Sequence, residues 1–220
     1  MRLGVYWLLP LLLLAGCANL REAVFGRDMD LQALHTASLG ATPQAEILKV
    51  FGAPLEIDQR QLDARRLEVY YYRQSYNGPV GGRPSEYRTL ACEFSSGILS
   101  GYWFEDSSDP RLGDFDEQLL PKLLKGKTTR REAAEWFGVP ASKALLPTTL
   151  AQPALLMKFG GAPAALAHLP ENAREVWQYY GATLNNRGEK TAQKALSLYF
   201  DAQGVFVGSA VAHELAMPVE

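Results

Sequence analysis

The chain has 220 residues, of which 47% are apolar, and carries 22 Lys and Arg against 24 Asp and Glu, for a formal charge of -2. That is enough chain for one sizeable core or two small ones. The lack of a basic excess excludes the electrostatic footprint of a nucleic-acid binder. Met1 and Arg2 form a short basic start, followed from Leu3 to Gly16 by an apolar run of 14 residues. A helix that spans a bilayer needs roughly 20, so residues 1–16 read as a signal peptide.

The run ends in Leu14, Ala15, Gly16 and Cys17, which resembles the lipobox of bacterial lipoproteins. The resemblance implies that Cys17 becomes the mature N-terminus and carries a diacylglycerol and an N-acyl chain. Ala18, where retained lipoproteins have Asp, implies export to the outer membrane, with residues 17–27 as a tether facing the periplasm. An uncleaved anchor, or an ordinary signal peptide with a chance cysteine, is the alternative. If Cys17 is acylated, Cys92 has no disulfide partner. It alternates with Leu90 and Phe94 on one strand face, as a small core residue does.

The next feature is a repetition. "GATPQAEILKVFGAP" (residues 40–54) returns 86 positions later as "GKTTRREAAEWFGVP" (residues 126–140), with Gly40, Thr42, Glu46, Phe51, Gly52 and Pro54 matching Gly126, Thr128, Glu132, Phe137, Gly138 and Pro140. Duplication is the natural inference. Thr42 is placed to cap a helix beginning at Pro43. In the second copy Thr129 and Glu132 have capping-box spacing, one residue later. Gly52 and Gly138 suit the left-handed position after a helix, and Pro54 and Pro140 stop it two residues on.

Beyond each helix the apolar period becomes two. Leu67–Arg73, Arg88–Phe94 and Ile98–Phe104 read as one antiparallel meander, and Glu175–Tyr180, Ala195–Phe200 and Val205–Val211 as another. Gly204 supplies the positive φ of the second hairpin turn. The expected fold is α+β: two tandem modules, residues 28–106 and 107–220, each two helices on a three-stranded antiparallel sheet. The first helix of the second pair is interrupted by Pro121. The second module also carries an insertion at about 141–174: Pro140 to Glu175 is 21 residues longer than Pro54 to Glu68. Its apolar run Pro153–Phe159 is expected to pack between the modules, with contact to a partner or the bilayer as the alternative.

Gly126, Thr128, Thr129, Glu132, Gly138, Pro140, Trp177, Tyr179, Phe200, Asp201 and Gly204 together resemble the SmpA/OmlA domain of BamE-like outer-membrane lipoproteins, in two tandem copies. Tandem helix-and-sheet modules are also similar to β-lactamase-inhibitor-type proteins. The first resemblance implies a lipid-anchored role in envelope maintenance or outer-membrane protein assembly, with assembly proteins as partners. The second implies inhibition or binding of a periplasmic or extracellular enzyme. His35, His168 and His213 lack metal-ligand spacing, and no nucleophile elbow or phosphate loop appears, so neither metal, cofactor nor enzymatic activity is expected. The six carboxylates between Glu105 and Glu117 read as a solvated linker. Tyr70, Tyr72, Trp177 and Tyr179 are the candidate partner-binding aromatics, set against packing in the core.

Overall fold

The computed structural model describes residues 23–26, 29, 31–77, 86–109, 113–150, 169–184 and 190–215. In chain order the elements are β1 (Ala23–Phe25), α1 (Leu31–Thr36), α2 (Gln44–Phe51), β2 (Glu56–Leu62), β3 (Arg65–Asn77), β4 (Glu86–Ser95) and β5 (Ile98–Asp106). A 3-10 helix (Glu117–Lys122), α3 (Arg130–Phe137), β6 (Ser142–Leu145), β7 (Glu175–Leu184), β8 (Lys190–Phe200) and β9 (Phe206–Leu215) complete the chain. All nine strands belong to one antiparallel sheet, in the order β1-β3-β4-β5-β6-β7-β8-β9, with β2 pairing on the same β3.

This corrects the expectation of two separate helix-on-three-strand modules. The element responsible is β6, which falls where the sequence suggests the start of an insertion. Ser142, Lys143 and Ala144 pair on one side with Gly101–Trp103 of β5, and all four residues pair on the other with Glu175–Gln178 of β7. Backbone hydrogen bonds therefore run uninterrupted from β1 to β9, and the protein is mostly sheet with few short helices. The insertion proper begins after Leu145, and Pro153–Phe159 lies outside the described residues, as do Cys17 and the apolar run before it.

The matched residues of the repetition make matching hydrogen bonds. Gly40 N–H donates to Leu99 O at 2.8 Å and Gly126 N–H to Phe206 O at 2.9 Å; Leu99 N–H donates to Thr42 O at 2.9 Å and Phe206 N–H to Thr128 O at 2.7 Å. The Thr42 hydroxyl accepts from Ser38 N–H and the buried Thr128 hydroxyl from Leu124 N–H. Thr42 is thus not the helix cap that the sequence suggests. α2 starts at Gln44 after an extended Pro43 with no side-chain cap, because the threonine is engaged in closing the preceding turn. α3 has the full capping box, with Thr129 and Glu132 each satisfying the other's backbone N–H. Both helices end on glycines at positive φ, but with Gly52 at φ 78°, ψ -159° and Gly138 at φ 74°, ψ -154° they occupy the extended positive-φ region, not the left-handed helical well expected from the sequence, which costs a residue with a side chain about 1–3 kcal/mol.

Two apolar layers sandwich the sheet. On one face α1 and α2 bury Leu34, Ile47 and Phe51 against Tyr70, Tyr72, Leu90 and Phe94, while α3 buries Ala133 and Phe137 against Trp177, Tyr179 and Leu196. The 3-10 helix replaces the expected partner of α3, since Pro121 lies inside it and removes a helical donor. The opposite face is also covered at its centre. Leu150 packs on Val69, Tyr71, Ala91 and Trp103, and Ala173 packs near Val176, Tyr199 and Val207. Residues 146–150 and 169–174 thus form a strap over the sheet face opposite the helices.

Candidate binding surface

The four aromatics singled out from the sequence are core residues. Tyr70 is 8% exposed, Tyr72 5%, Trp177 4% and Tyr179 0%, all beneath the helices. Their strands do put them on one face, and that face is the one the helices cover. Gln44 of α2 donates to the Tyr70 hydroxyl and to Glu68, and the Tyr179 hydroxyl donates to Gly138 O at 3.3 Å, closing the end of α3. None of the four is placed to meet a partner. Gly204, at φ 79°, and Pro140, which is buried, likewise serve turn and packing.

Two polar clusters that the sequence did not reveal sit near β6. Cross-strand registers place Tyr102, Lys143 and Trp177 in one row. The Lys143 ammonium lies 4.5 Å from the Trp177 ring centre. Burial lowers the Lys143 pKa, and the nearby Arg130 lowers it further against the opposing pull of Glu175. Glu175 accepts from Trp177 Nε1 at 2.5 Å and pairs with Arg130 at 3.0 Å. The cluster sits at the junction of the two helix layers, with Glu175 linking Arg130 to Trp177 and the Lys143 ammonium against the Trp177 ring. Such a network fixes registry.

The second cluster is on the strap side. Glu93 is 0% exposed and faces donors only. Its Oε1 accepts from the Ser100 hydroxyl at 3.0 Å and the Thr148 hydroxyl at 2.9 Å, and its Oε2 from Thr149 N–H at 2.8 Å and the Thr149 hydroxyl at 2.6 Å. Thr148 Oγ1 in turn accepts from Leu150 N–H, which directs its own proton at Glu93. The carboxylate is a clasp for the strap. No periodicity or motif marks it, because its donors lie up to 56 positions away.

Accessible apolar surface collects elsewhere, around the C-terminal end of α2 and the start of β2. Val50 is 36% exposed, Leu55 74% and Ile57 50%. Leu55 lines a groove of about 290 Å³ together with Met29, Phe51, Pro54, Tyr72 and Arg73, and Val50 and Ile57 lie close by in the chain. Tyr72 is among the lining residues, but its hydroxyl is buried without a hydrogen-bond partner, and burial pushes its pKa up, so it stays protonated. Among the described residues no group of three His, Cys, Asp or Glu is placed to hold a metal. Burial raises the Cys92 thiol far above the usual range, so it stays protonated and inert.

Comparison with known proteins gives little to set beside this geometry. No family model matches the chain, and no curated protein matches it. Among solved structures it is similar to a Streptococcus mutans protein described as a candidate beta-lactamase inhibitor, at 11% identity and a TM-score of 0.44, over 84% of this chain and 95% of that one. That likeness is too distant to transfer a role.

Proposed function

We propose that the protein is a lipid-anchored component of the outer membrane, facing the periplasm, that acts by protein contacts in envelope maintenance or outer-membrane protein assembly and catalyses no reaction. The observation that carries the reading is the groove beside α2 and β2, where exposed Val50, Leu55 and Ile57 adjoin a cleft lined by Phe51, Pro54 and Leu55. Solvent-exposed apolar side chains beside an unfilled cleft mark a contact surface. The anchor position supports it. Cys17 precedes Ala23 of β1 by six residues and Gly26 at the groove by nine, so acylation would hold the start of β1 within about 22 Å and Gly26 within about 32 Å of the membrane surface. A surface so tethered meets membrane-embedded neighbours more often than diffusing substrates.

The test is site-specific photo-crosslinking in intact envelopes. A photoreactive residue at Val50 should give a discrete adduct with an envelope protein that is absent when the same residue is placed at Arg66, and Cys17→Ser should abolish both the adduct and outer-membrane fractionation. An adduct with a periplasmic hydrolase would instead support an enzyme-binding role. Equal adducts from both positions, or normal fractionation of the Cys17→Ser chain, would refute the reading.

A further inference from the structure

The junction inside the sheet has both of its halves repeated at the outer edges, unpaired among the described residues. β2 follows α2 as β6 follows α3, and the 86-residue offset that matches Gly52 to Gly138 matches Ile57 to Lys143 and Leu55 to Ala141. β6 uses its outer edge to pair with β5, whereas among the described residues β2 pairs only with β3. The complementary half recurs as well. Leu99 of β5 and Phe206 of β9 make the same hydrogen bonds to the turns at Gly40 and Gly126, which matches Gly101 to Gly208, Tyr102 to Ser209 and Phe104 to Val211. β5 gives its outer edge to β6, and β9 pairs only with β8 among the described residues.

We propose that the β2 edge of one molecule pairs with the β9 edge of a second copy, antiparallel and in the register of the β5–β6 junction. The inference rests on the reading that this protein works by contacts at the α2–β2 side, and names a second copy as an occupant there. The internal junction sets Tyr102 opposite Lys143 and has Phe104 N–H donate to Ala141 O at 2.8 Å. Carried to the outer edges, that register sets Ser209 opposite Ile57 and Val211 opposite Leu55. Leu55, Ile57 and Val211 are all exposed, at 74%, 50% and 39%. They share a face, since Ile57 lies beside Tyr70 and Val211 beside Leu196, both under the helices. Pairing would cover all three together.

The backbone also fits. At the internal junction Gly101 admits Ala144, whose Cβ would lie only 2.8 Å from a Cβ placed on the glycine. β9 has Gly208 at the matching place, opposite Asp58, with Pro170 of the strap 3.0 Å from where its Cβ would be. The residues described on β9 before its last two include no proline or lysine, the usual means of blocking an edge. On β2 the charged Asp58 and Arg60 pair with one another at 2.8 Å on the opposite face from Ile57. Each molecule carries one edge of each kind, so the contact is head-to-tail and propagates.

Full-length chains bearing Ile57→Cys, purified in detergent, are mixed with chains bearing Ser209→Cys and mildly oxidised. The expected result is a disulfide-linked dimer at least fivefold above the parent chain, whose native cysteines set the background, and a ladder from the doubly substituted chain. Asp58→Cys, which faces the other side, replaces Ile57→Cys as the register control and should stay at background. Leu55→Lys should cut the dimer at least fivefold without moving the melting temperature. Crosslinking of the Ile57→Cys mixture no higher than the control or parent overturns the proposal. Because these chains are pure, that failure would leave the envelope crosslinking at Val50, and the functional reading it tests, unaffected.

Discussion

Replacing Glu93 probes the clasp that holds the strap. In Glu93→Leu the four donors aimed at the carboxylate lose their acceptor. Three are hydroxyl protons that can turn to other partners. Thr149 N–H cannot turn, and stranding a buried donor costs about 1–3 kcal/mol. Adding the lost charge-assisted bonds from Ser100, Thr148 and Thr149, and subtracting the desolvation that the carboxylate no longer suffers, gives a net loss of about 3–5 kcal/mol. Glu93→Gln should cost only about 1–2 kcal/mol. Its carbonyl can keep the two Thr149 bonds at 2.8 and 2.6 Å, while its NH2 donates to the Ser100 and Thr148 hydroxyls after they rotate. Urea unfolding measures both, and amide exchange at Thr149 and Leu150 should rise before exchange in β7 and β8 does. The reasoning fails if Leu and Gln cost the same, or if Leu stabilises the chain, which would mean that burying the carboxylate outweighs its four bonds.

Gly101→Ala should loosen the β5–β6 junction by about 1–3 kcal/mol, because the new Cβ meets Ala144 Cβ at 2.8 Å and the Lys143 carbonyl at 3.1 Å; unchanged thermal melts would show that β6 shifts freely. Thr129→Ala should cost about 1 kcal/mol through loss of the α3 capping box, with denaturant unfolding as the readout and no change as the refuting result. Asp106 is pushed up by burial, but hydrogen bonds from Ser108 and Arg88 outweigh this and hold its pKa below the usual carboxylate range. A depressed folded pKa contributes stability that is present above the unfolded value of about 3.9 and is lost as pH falls through the folded value. Asp106→Asn should therefore flatten the stability profile below about pH 4, and an unaltered acid limb would count against it.

Local chemistry was legible from the sequence wherever the cause lay within a few residues. The capping box at Thr129 and Glu132, the glycines that end α2 and α3, and the hairpin turn at Gly204 each depend on backbone geometry that nearby residues dictate. The six segments of alternating apolar residues lie in strands, with Val205 alone falling one residue before β9, and Cys92 is buried in one of them. Thr42 shows the limit even at short range: the same hydroxyl can cap a helix or close the turn before it, and only the hairpin docking at Leu99 selects the turn.

What joins those pieces is written in the tertiary structure alone. β6 has four residues, too few to show a period, and its pairing with β5 and β7 depends on edges that residues 101–103 and 175–178 present from far along the chain. That strand turns two expected sheets into one. The fate of Tyr70, Tyr72, Trp177 and Tyr179 was undecidable for a similar reason. Alternation assigns them to a shared face, but which face the helices cover depends on how the chain crosses over after Pro54 and Pro140. Glu93 is the extreme case: a single carboxylate whose role exists only because Ser100, Thr148 and Thr149 converge on it once the sheet has closed.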